Sequence, residues 1–164
     1  MLGSIILSAA IIAGAADSPS ATSEADEQLR LVHADEFSIV FMPEQHAFPR
    51  MQASPVDVRT VTIFETPALL GQVSEWDVRI SETRIDCQAG LIGDRAHRIF
   101  LGETPVDETT PPFRMQRPNG PEKAAILAYA CHPTPASADI LVDDIPAARA
   151  WAADAYLRIR ASQR

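Results

Sequence analysis

A short segment after an apolar run carries side chains that could bind copper. Met42, Glu44, His46 and Met51 lie close together in the chain, and thioether and imidazole groups are ligands that suit copper. Met42 also closes the apolar run, so it can equally serve as a core residue. The segment therefore supports a copper-carrier hypothesis through Met42, His46 and Met51. The rest of the sequence gives no reason to expect a cofactor.

A second candidate is an acid–base pair. Asp94 precedes His97 by three residues, and a carboxylate beside an imidazole can orient it for proton transfer. This spacing favours a small hydrolase that uses His97 together with loop carboxylates, which occur in adjacent pairs at Asp35-Glu36, Asp107-Glu108 and Asp143-Asp144. The alternative is a turn aspartate and a strand histidine with no shared task. The sequence contains no G-x-S-x-G, Walker, dinucleotide-binding, H-E-x-x-H or EF-hand motif.

The chain has two cysteines, Cys87 and Cys131, and no C-x-x-C pair. This spacing excludes an ordinary structural zinc site. In an exported protein such a pair forms a disulfide, and closing the long intervening loop would stabilise the fold by about 4 kcal/mol in the chain-entropy model. In a reducing compartment the two residues would be buried thiols, and a catalytic or redox thiol is the remaining alternative.

The N-terminus has the layout of a secretory signal peptide. Residues 1–16 carry no charge and end in small residues, and Asp17 follows at once. A helix of that length rises about 24 Å, less than the roughly 30 Å of a bilayer core. An uncleaved anchor and a buried N-terminal helix are the alternatives, since no cation precedes the apolar run. We expect a signal peptide at 1–16, a flexible acidic lead-in at 17–28 and one domain at 29–164.

Composition and charge narrow the class of protein. The chain has 164 residues, of which 46% are hydrophobic and 22% charged, as in a folded globular domain. Its net charge of −8 repels a phosphate backbone, so nucleic acid is excluded as a partner. We expect a periplasmic or secreted protein with no transmembrane span in the mature chain.

Strand patterns come first and helix patterns last. Short β-prone segments separated by prolines and glycines predict about five or six strands, near residues 29–33, 37–42, 56–65, 75–87 and 96–101. Five prolines in 103–121 argue against regular structure there. A start signal at Pro121 and an apolar stripe over 145–162 predict two helices. The predicted fold is α+β, an antiparallel sheet with both C-terminal helices packed on one face.

Three segments in combination resemble a known family. Arg84-Ile85-Asp86-Cys87, the segment 95–102 that ends in Gly102, and the segment from Gly120 to Cys131 are similar to the surface-adhesin protein E family of exported bacterial domains. The resemblance covers roughly residues 29–131. It implies an antiparallel sheet with a C-terminal helix attached by a disulfide, and no enzymatic activity; some relatives bind host matrix proteins. This chain lacks the family's usual tryptophan at the start of the domain and continues past Cys131.

The sequence thus predicts an exported, non-catalytic domain that binds a protein or an envelope component. A small exported hydrolase acting through His97 is the enzymatic alternative. A periplasmic copper carrier acting through Met42, His46 and Met51 is the other.

Overall fold

A computed structural model of the chain describes residues 28–44, 55–70, 74–132 and 140–163. The expected signal peptide and nearly all of the acidic lead-in lie outside these residues. The described part contains strands β1 (Leu29–Ala34), β2 (Ser38–Pro43), β3 (Val56–Leu70), β4 (Ser74–Asp86), β5 (Leu91–Leu101), β6 (Thr104–Thr109) and β7 (Leu141–Val142), with helices α1 (Pro121–Cys131) and α2 (Ile145–Ser162).

All described strands join one antiparallel sheet in the order β6-β5-β4-β3-β2-β1-β7. The first six strands follow one another across the sheet, because short connections favour antiparallel neighbours. The chain then forms α1 and returns to the outer edge of β1 as β7. The α+β class is confirmed.

The sheet has seven strands because two short edge strands add to the expected set. β6 lies inside the proline-rich segment for which no regular structure is expected. Its proline, Pro105, sits at a register irregularity opposite Phe100, which is where an edge strand tolerates proline. β7 has two residues and pairs with Leu29 and Arg30. Edge strands this short leave little periodic pattern in a sequence.

The two helices lie on opposite faces of the sheet, so the expectation that both cover one face is wrong. On β2, Ile39 and Phe41 pack in a core with α2. The alternate residues Val40 and Met42 pack in a second core with α1. Successive side chains of a strand point to opposite faces, so the fully apolar β2 requires a helix on each side.

Helix α1 begins at Pro121, as its start signal predicts, and its C-terminal half is buried through Ile126, Tyr129, Ala130 and Cys131. Along α1, Leu127 and Cys131 pack against the core, whereas Ala124 and Ala128 are exposed. Ile and Tyr bury more apolar area than Ala, so the larger side chains decide which face of α1 contacts the sheet.

Helix α2 packs as its sequence stripe predicts. Ala148, Ala152 and Ala155 are buried against the sheet, and the side chain of Asp144 caps the helix by accepting a hydrogen bond from the Ala147 amide. The Tyr156 hydroxyl donates a 2.8 Å hydrogen bond to the Ile63 carbonyl of β3. This bond ties α2 to the centre of the sheet.

Cys87 and Cys131 form a disulfide, as the sequence predicts. Cys87 follows β4 directly, and Cys131 is the last residue of α1. The bridge therefore attaches the C-terminal end of α1 to the β4–β5 turn.

Candidate functional site

The side of the sheet under α1 is apolar at one end and polar at the other. Four hydroxyl-bearing side chains on β3 and β4 are buried there: Thr60, Thr62, Ser81 and Thr83. They lie near the first turn of α1, since the Thr62 hydroxyl is 3.5 Å from a Glu122 carboxylate oxygen. The acidic and basic side chains around them form what we call the polar cluster: Arg79, Asp94, His97, Glu122 and Lys123.

Two ion pairs connect the first turn of α1 to the sheet. Glu122 accepts a 2.6 Å hydrogen bond from Arg79 Nη2 on β4. Lys123, the next residue, donates a 2.8 Å hydrogen bond to Asp94 Oδ2 on β5. Because Pro121 begins the helix, these two adjacent side chains leave its first turn directly above the sheet. Each carboxylate is therefore neutralised by its own cation.

His97 and Asp94 come together because β5 contains a bulge. Residues three apart in a regular strand point to opposite faces. Here Glu82 pairs with Ala96 while the next residue, Thr83, pairs with Asp94, so Arg95 is an extra residue. The bulge returns Asp94 to the face that His97 occupies. The acid–base hypothesis thus named two residues that do lie close together.

His97 contacts one group through each ring nitrogen. Its Nδ1 lies 2.9 Å from the Ser81 hydroxyl oxygen, which is hydrogen-bonding distance. Its Nε2 lies 3.9 Å from Asp94 Oδ2, too far for a hydrogen bond. The Ser81 hydroxyl is a partner that the sequence analysis missed. A buried serine directly opposite a histidine could be found only once the β4–β5 register was known.

Burial and neighbouring charge set the protonation of this cluster. Burial lowers the pKa of His97, and the Arg79 and Lys123 cations lower it further, against the opposing effect of Asp94. Burial alone would raise the pKa of Asp94, but the hydrogen bond and charge of Lys123 hold it below its usual range. His97 is thus neutral and Asp94 ionised at neutral pH.

Serine, histidine and aspartate are also the groups of a hydrolytic triad, but their arrangement here differs from one. In a working triad the aspartate and the nucleophile contact different imidazole nitrogens through short hydrogen bonds. Asp94 is instead engaged by Lys123 and by Thr83, whose hydroxyl donates at 3.2 Å. Ser81 is only 3% exposed, so its hydroxyl does not face a substrate. Within this cluster, the Lys123–Asp94 contact attaches α1 to the sheet.

The expected copper ligands are only partly within the described residues. Met42 is fully buried in the core beneath α1, and Glu44 accepts a 2.7 Å hydrogen bond from Arg30. His46 and Met51 lie outside the described residues, so copper binding stays a hypothesis. Within the described ranges, no group of three His, Cys, Asp or Glu side chains could hold a metal ion.

A second feature is an exposed aromatic side chain at the tip of the β1–β2 hairpin. Phe37 is 70% exposed, although its sequence pattern places it in a strand. Asp35 Oδ1 accepts hydrogen bonds from the amides of Phe37 and Ser38 at 2.8 and 2.7 Å, which forms an Asx turn. The other oxygen of Asp35 lies 2.9 Å from His33 Nε2. The tip is therefore braced, and it presents Phe37 outwards.

Comparison with protein-family models, curated proteins and solved structures finds no match for this chain. Function must therefore be inferred from the residues themselves. Of the helices in the described ranges, neither α1 nor α2 combines the length and the apolar character needed to cross a membrane.

Proposed function

We propose that this chain is an exported, non-catalytic domain that acts by binding another protein or an envelope component. The proposal rests on the observation that the groups of the polar cluster bind one another within the fold. Glu122 and Asp94 each pair with a cation, and Ser81 is enclosed beneath His97. A polar network whose members satisfy one another rigidifies the packing around it, and here its partners are the sheet and α1 rather than solvent. The function then rests with the outer surface.

The disulfide supports export, to the periplasm or beyond the cell. Disulfides persist in oxidising compartments and are rare in the cytosol, and residues 1–16 have the layout of a signal peptide. A fusion of residues 1–28 to alkaline phosphatase that lacks its own signal tests this, because that enzyme folds only after export. We expect activity, and we expect its loss when residues 5–13 are deleted. Activity that survives the deletion, or no activity with the intact segment, would contradict export.

We also propose that the chain is a relative of the surface-adhesin protein E family. The attachment of a helix end to a strand end by the Cys87–Cys131 disulfide is the arrangement that the resemblance implies. The second helix, α2, on the opposite face of the sheet extends beyond the part that the resemblance covers. A binding role without catalysis agrees with this relationship.

Phe37 is the residue through which binding is best tested. An ordered aromatic side chain that protrudes into solvent is a typical anchor at a protein interface. Replacing Phe37 by a benzoylphenylalanine photo-cross-linker in the native envelope should give a defined adduct. The matched control carries the same group at Leu157 on α2, which is 62% exposed. Equal adducts from both positions, or none from position 37, would argue against a binding surface at the tip.

A small exported hydrolase is the second candidate, and the 2.9 Å contact between His97 and Ser81 favours it. This candidate predicts that a fluorophosphonate labels Ser81 and that the chain hydrolyses simple esters or amides. The variants Ser81→Ala and His97→Gln would abolish both signals. The binding proposal predicts no labelling in the wild-type chain, so the two candidates are separated by one experiment.

A further inference from the structure

Two basic side chains, Lys123 and His97, approach the same carboxylate oxygen of Asp94. Lys123 Nζ on α1 lies 2.8 Å from Asp94 Oδ2, and His97 Nε2 on β5 lies 3.9 Å from that oxygen. The first contact joins a helix to the sheet, whereas the second joins two residues of one strand. A carboxylate that turned from Lys123 towards His97 would therefore stop holding the helix.

The two ends of α1 are attached to the sheet in different ways. The C-terminal end is covalently bound through the Cys87–Cys131 disulfide and packs in an apolar core with Ile126 and Tyr129. The N-terminal end rests on hydroxyl groups and is held by the pairs Arg79–Glu122 and Asp94–Lys123. Gly120, which precedes the helix, has no side chain to cap it. Loss of either pair thus weakens the N-terminal end and leaves the C-terminal end in place.

We propose that the first turn of α1 is a pH-sensitive latch, in which a proton taken up by His97 draws Asp94 away from Lys123 and releases the turn from the sheet. The disulfide keeps the rest of α1 attached, so the change is local and reversible. Release would expose the hydroxyl groups of β3 and β4 and the polar face of the first turn. This latch is independent of the proposed binding function, because it depends only on contacts within the chain.

Every element around His97 contributes to its proton affinity. β4 places Arg79 and Ser81 beside the ring, α1 places Lys123 there, and β5 places Asp94 there. On β6, Thr109 pairs with His97 and the exposed Asp107 lies on the same face two residues away. Arg79 in turn forms an ion pair with Glu122. The Arg79 and Lys123 cations thus disfavour protonation of His97. Asp94 is the nearby carboxylate that would form an ion pair with the protonated ring.

The direction of the pH effect follows from burial. Burial lowers the pKa of His97 in the latched state, whereas an opened, solvated His97 returns to about 6.5. The open state therefore binds more protons below that pH, so the opening equilibrium rises as the pH falls, by at most about tenfold per pH unit. The latch is closed at neutral pH and loosens in mildly acidic surroundings.

Hydrogen exchange of the full mature chain, with the disulfide intact, tests the latch. The amides of Ala124, Ala125 and Ile126 report its state, since the Ala124 amide donates to the Gly120 carbonyl at 3.1 Å. Between about pH 7.5 and pH 5, and after correction for intrinsic exchange rates, we expect their protection to fall, by up to about thirtyfold for an open-state pKa near 6.5. The amides at the centre of α2 should keep their protection over the same pH range.

The variant His97→Gln keeps a hydrogen-bonding side chain but cannot take up the proton. In this variant the protection of the first turn should not depend on pH. An equal loss of protection in wild type and variant on acidification, or no loss of protection in wild type, would overturn the latch. If His97→Gln does not fold, Lys123→Gln provides the test, since it removes the contact that the latch requires and predicts low protection of that turn at both pH values. Protection like that of wild type in Lys123→Gln would also overturn it.

Lys123 is the only lysine in the chain, which gives a second, independent readout. Selective ¹⁵N labelling of lysine yields one side-chain ammonium signal. Relative to the intrinsic, base-catalysed rate at each pH, we expect protected exchange of that ammonium at neutral pH, when it donates to Asp94, and loss of this protection at about pH 5 in wild type but not in His97→Gln. An ammonium signal that behaves identically in the two proteins would contradict the proposal.

Discussion

Phe41 and Met42 are neighbours in β2, yet their side chains lie in separate cores. Phe41 packs beneath α2, where its ring meets Trp151 edge to face at 5.9 Å between centroids. Met42 packs beneath α1 with Tyr129. One strand thus supports both helices, and each face of the sheet depends on its own helix.

Truncation of Phe41 should be among the most destabilising single changes. Because the ring is fully buried, Phe41→Ala leaves a cavity beneath α2, and we expect the free energy of unfolding to fall by about 3–5 kcal/mol. Urea denaturation followed by circular dichroism measures this difference. Phe37→Ala is the matched control, because an exposed side chain should change stability by no more than about 0.5 kcal/mol. Similar losses in both variants would contradict the burial of Phe41 beneath α2 and the exposure of Phe37.

Much of the sheet could be predicted because its central strands carry strong β patterns. In β4 the apolar residues also change parity between Ile80 and Ile85, which is typical of a strand that passes from one packing partner to another. Ile80 packs beneath α2 and Ile85 beneath α1, so β4 changes packing partner without a bulge of its own, and the extra residue lies in the neighbouring strand β5, at Arg95. The sequence analysis did not predict that each face of the sheet is covered by its own helix. The continuous apolar run Ile39–Met42, which indicates burial on both sides of a strand, was the available signal.

The polar cluster could be predicted only in part. The spacing of Asp94 and His97 suggested a contact, but that contact requires the bulge at Arg95. Lys123 and Glu122 come from a helix about thirty residues further along the chain, and only tertiary packing brings them to the sheet. Local patterns carry no information on such pairs. Phe37 was placed in a strand because its β propensity outweighed the turn preference of the preceding Asp35.

Reduction of the disulfide should destabilise the chain more than any surface change. The Cys87–Cys131 bridge spans 44 residues, and its loss releases loop-closure entropy in the unfolded chain worth about 4 kcal/mol. We expect the urea midpoint to fall on addition of reductant. The double variant Cys87→Ser, Cys131→Ser should unfold at that lower midpoint with or without reductant. A reductant effect that persists in the double variant would show that it acts elsewhere.

Gly93 should not accept a side chain, because the segment before α1 lies against it. A Cβ atom at this position would lie 2.5 Å from the Arg114 carbonyl oxygen, and backbone gives way less readily than a flexible side chain. Gly93→Ala should therefore separate this segment from β5, where the Ile92 amide donates to Gln116 at 2.8 Å. We expect a loss of about 1–3 kcal/mol in urea denaturation. Ala96→Ser, on the same strand, is the control, and equal stability of Gly93→Ala and wild type would refute the clash.

Acid should weaken the fold through Asp94 in a pH range below that of His97. The Lys123 ammonium holds the pKa of Asp94 below its usual value against the effect of burial, so the folded state releases that proton more readily than the unfolded state. The resulting stabilisation is fully present above about pH 4 and is lost as the pH falls further. Urea denaturation at a series of pH values should show this decline, and Asp94→Asn or Lys123→Gln should make it shallower. Arg158→Gln, which removes an exposed helical pair with Asp154, should leave the decline as it is, since such pairs contribute about 0.3–0.5 kcal/mol. A decline of the same steepness in Asp94→Asn as in wild type would mean that other carboxylates govern acid unfolding.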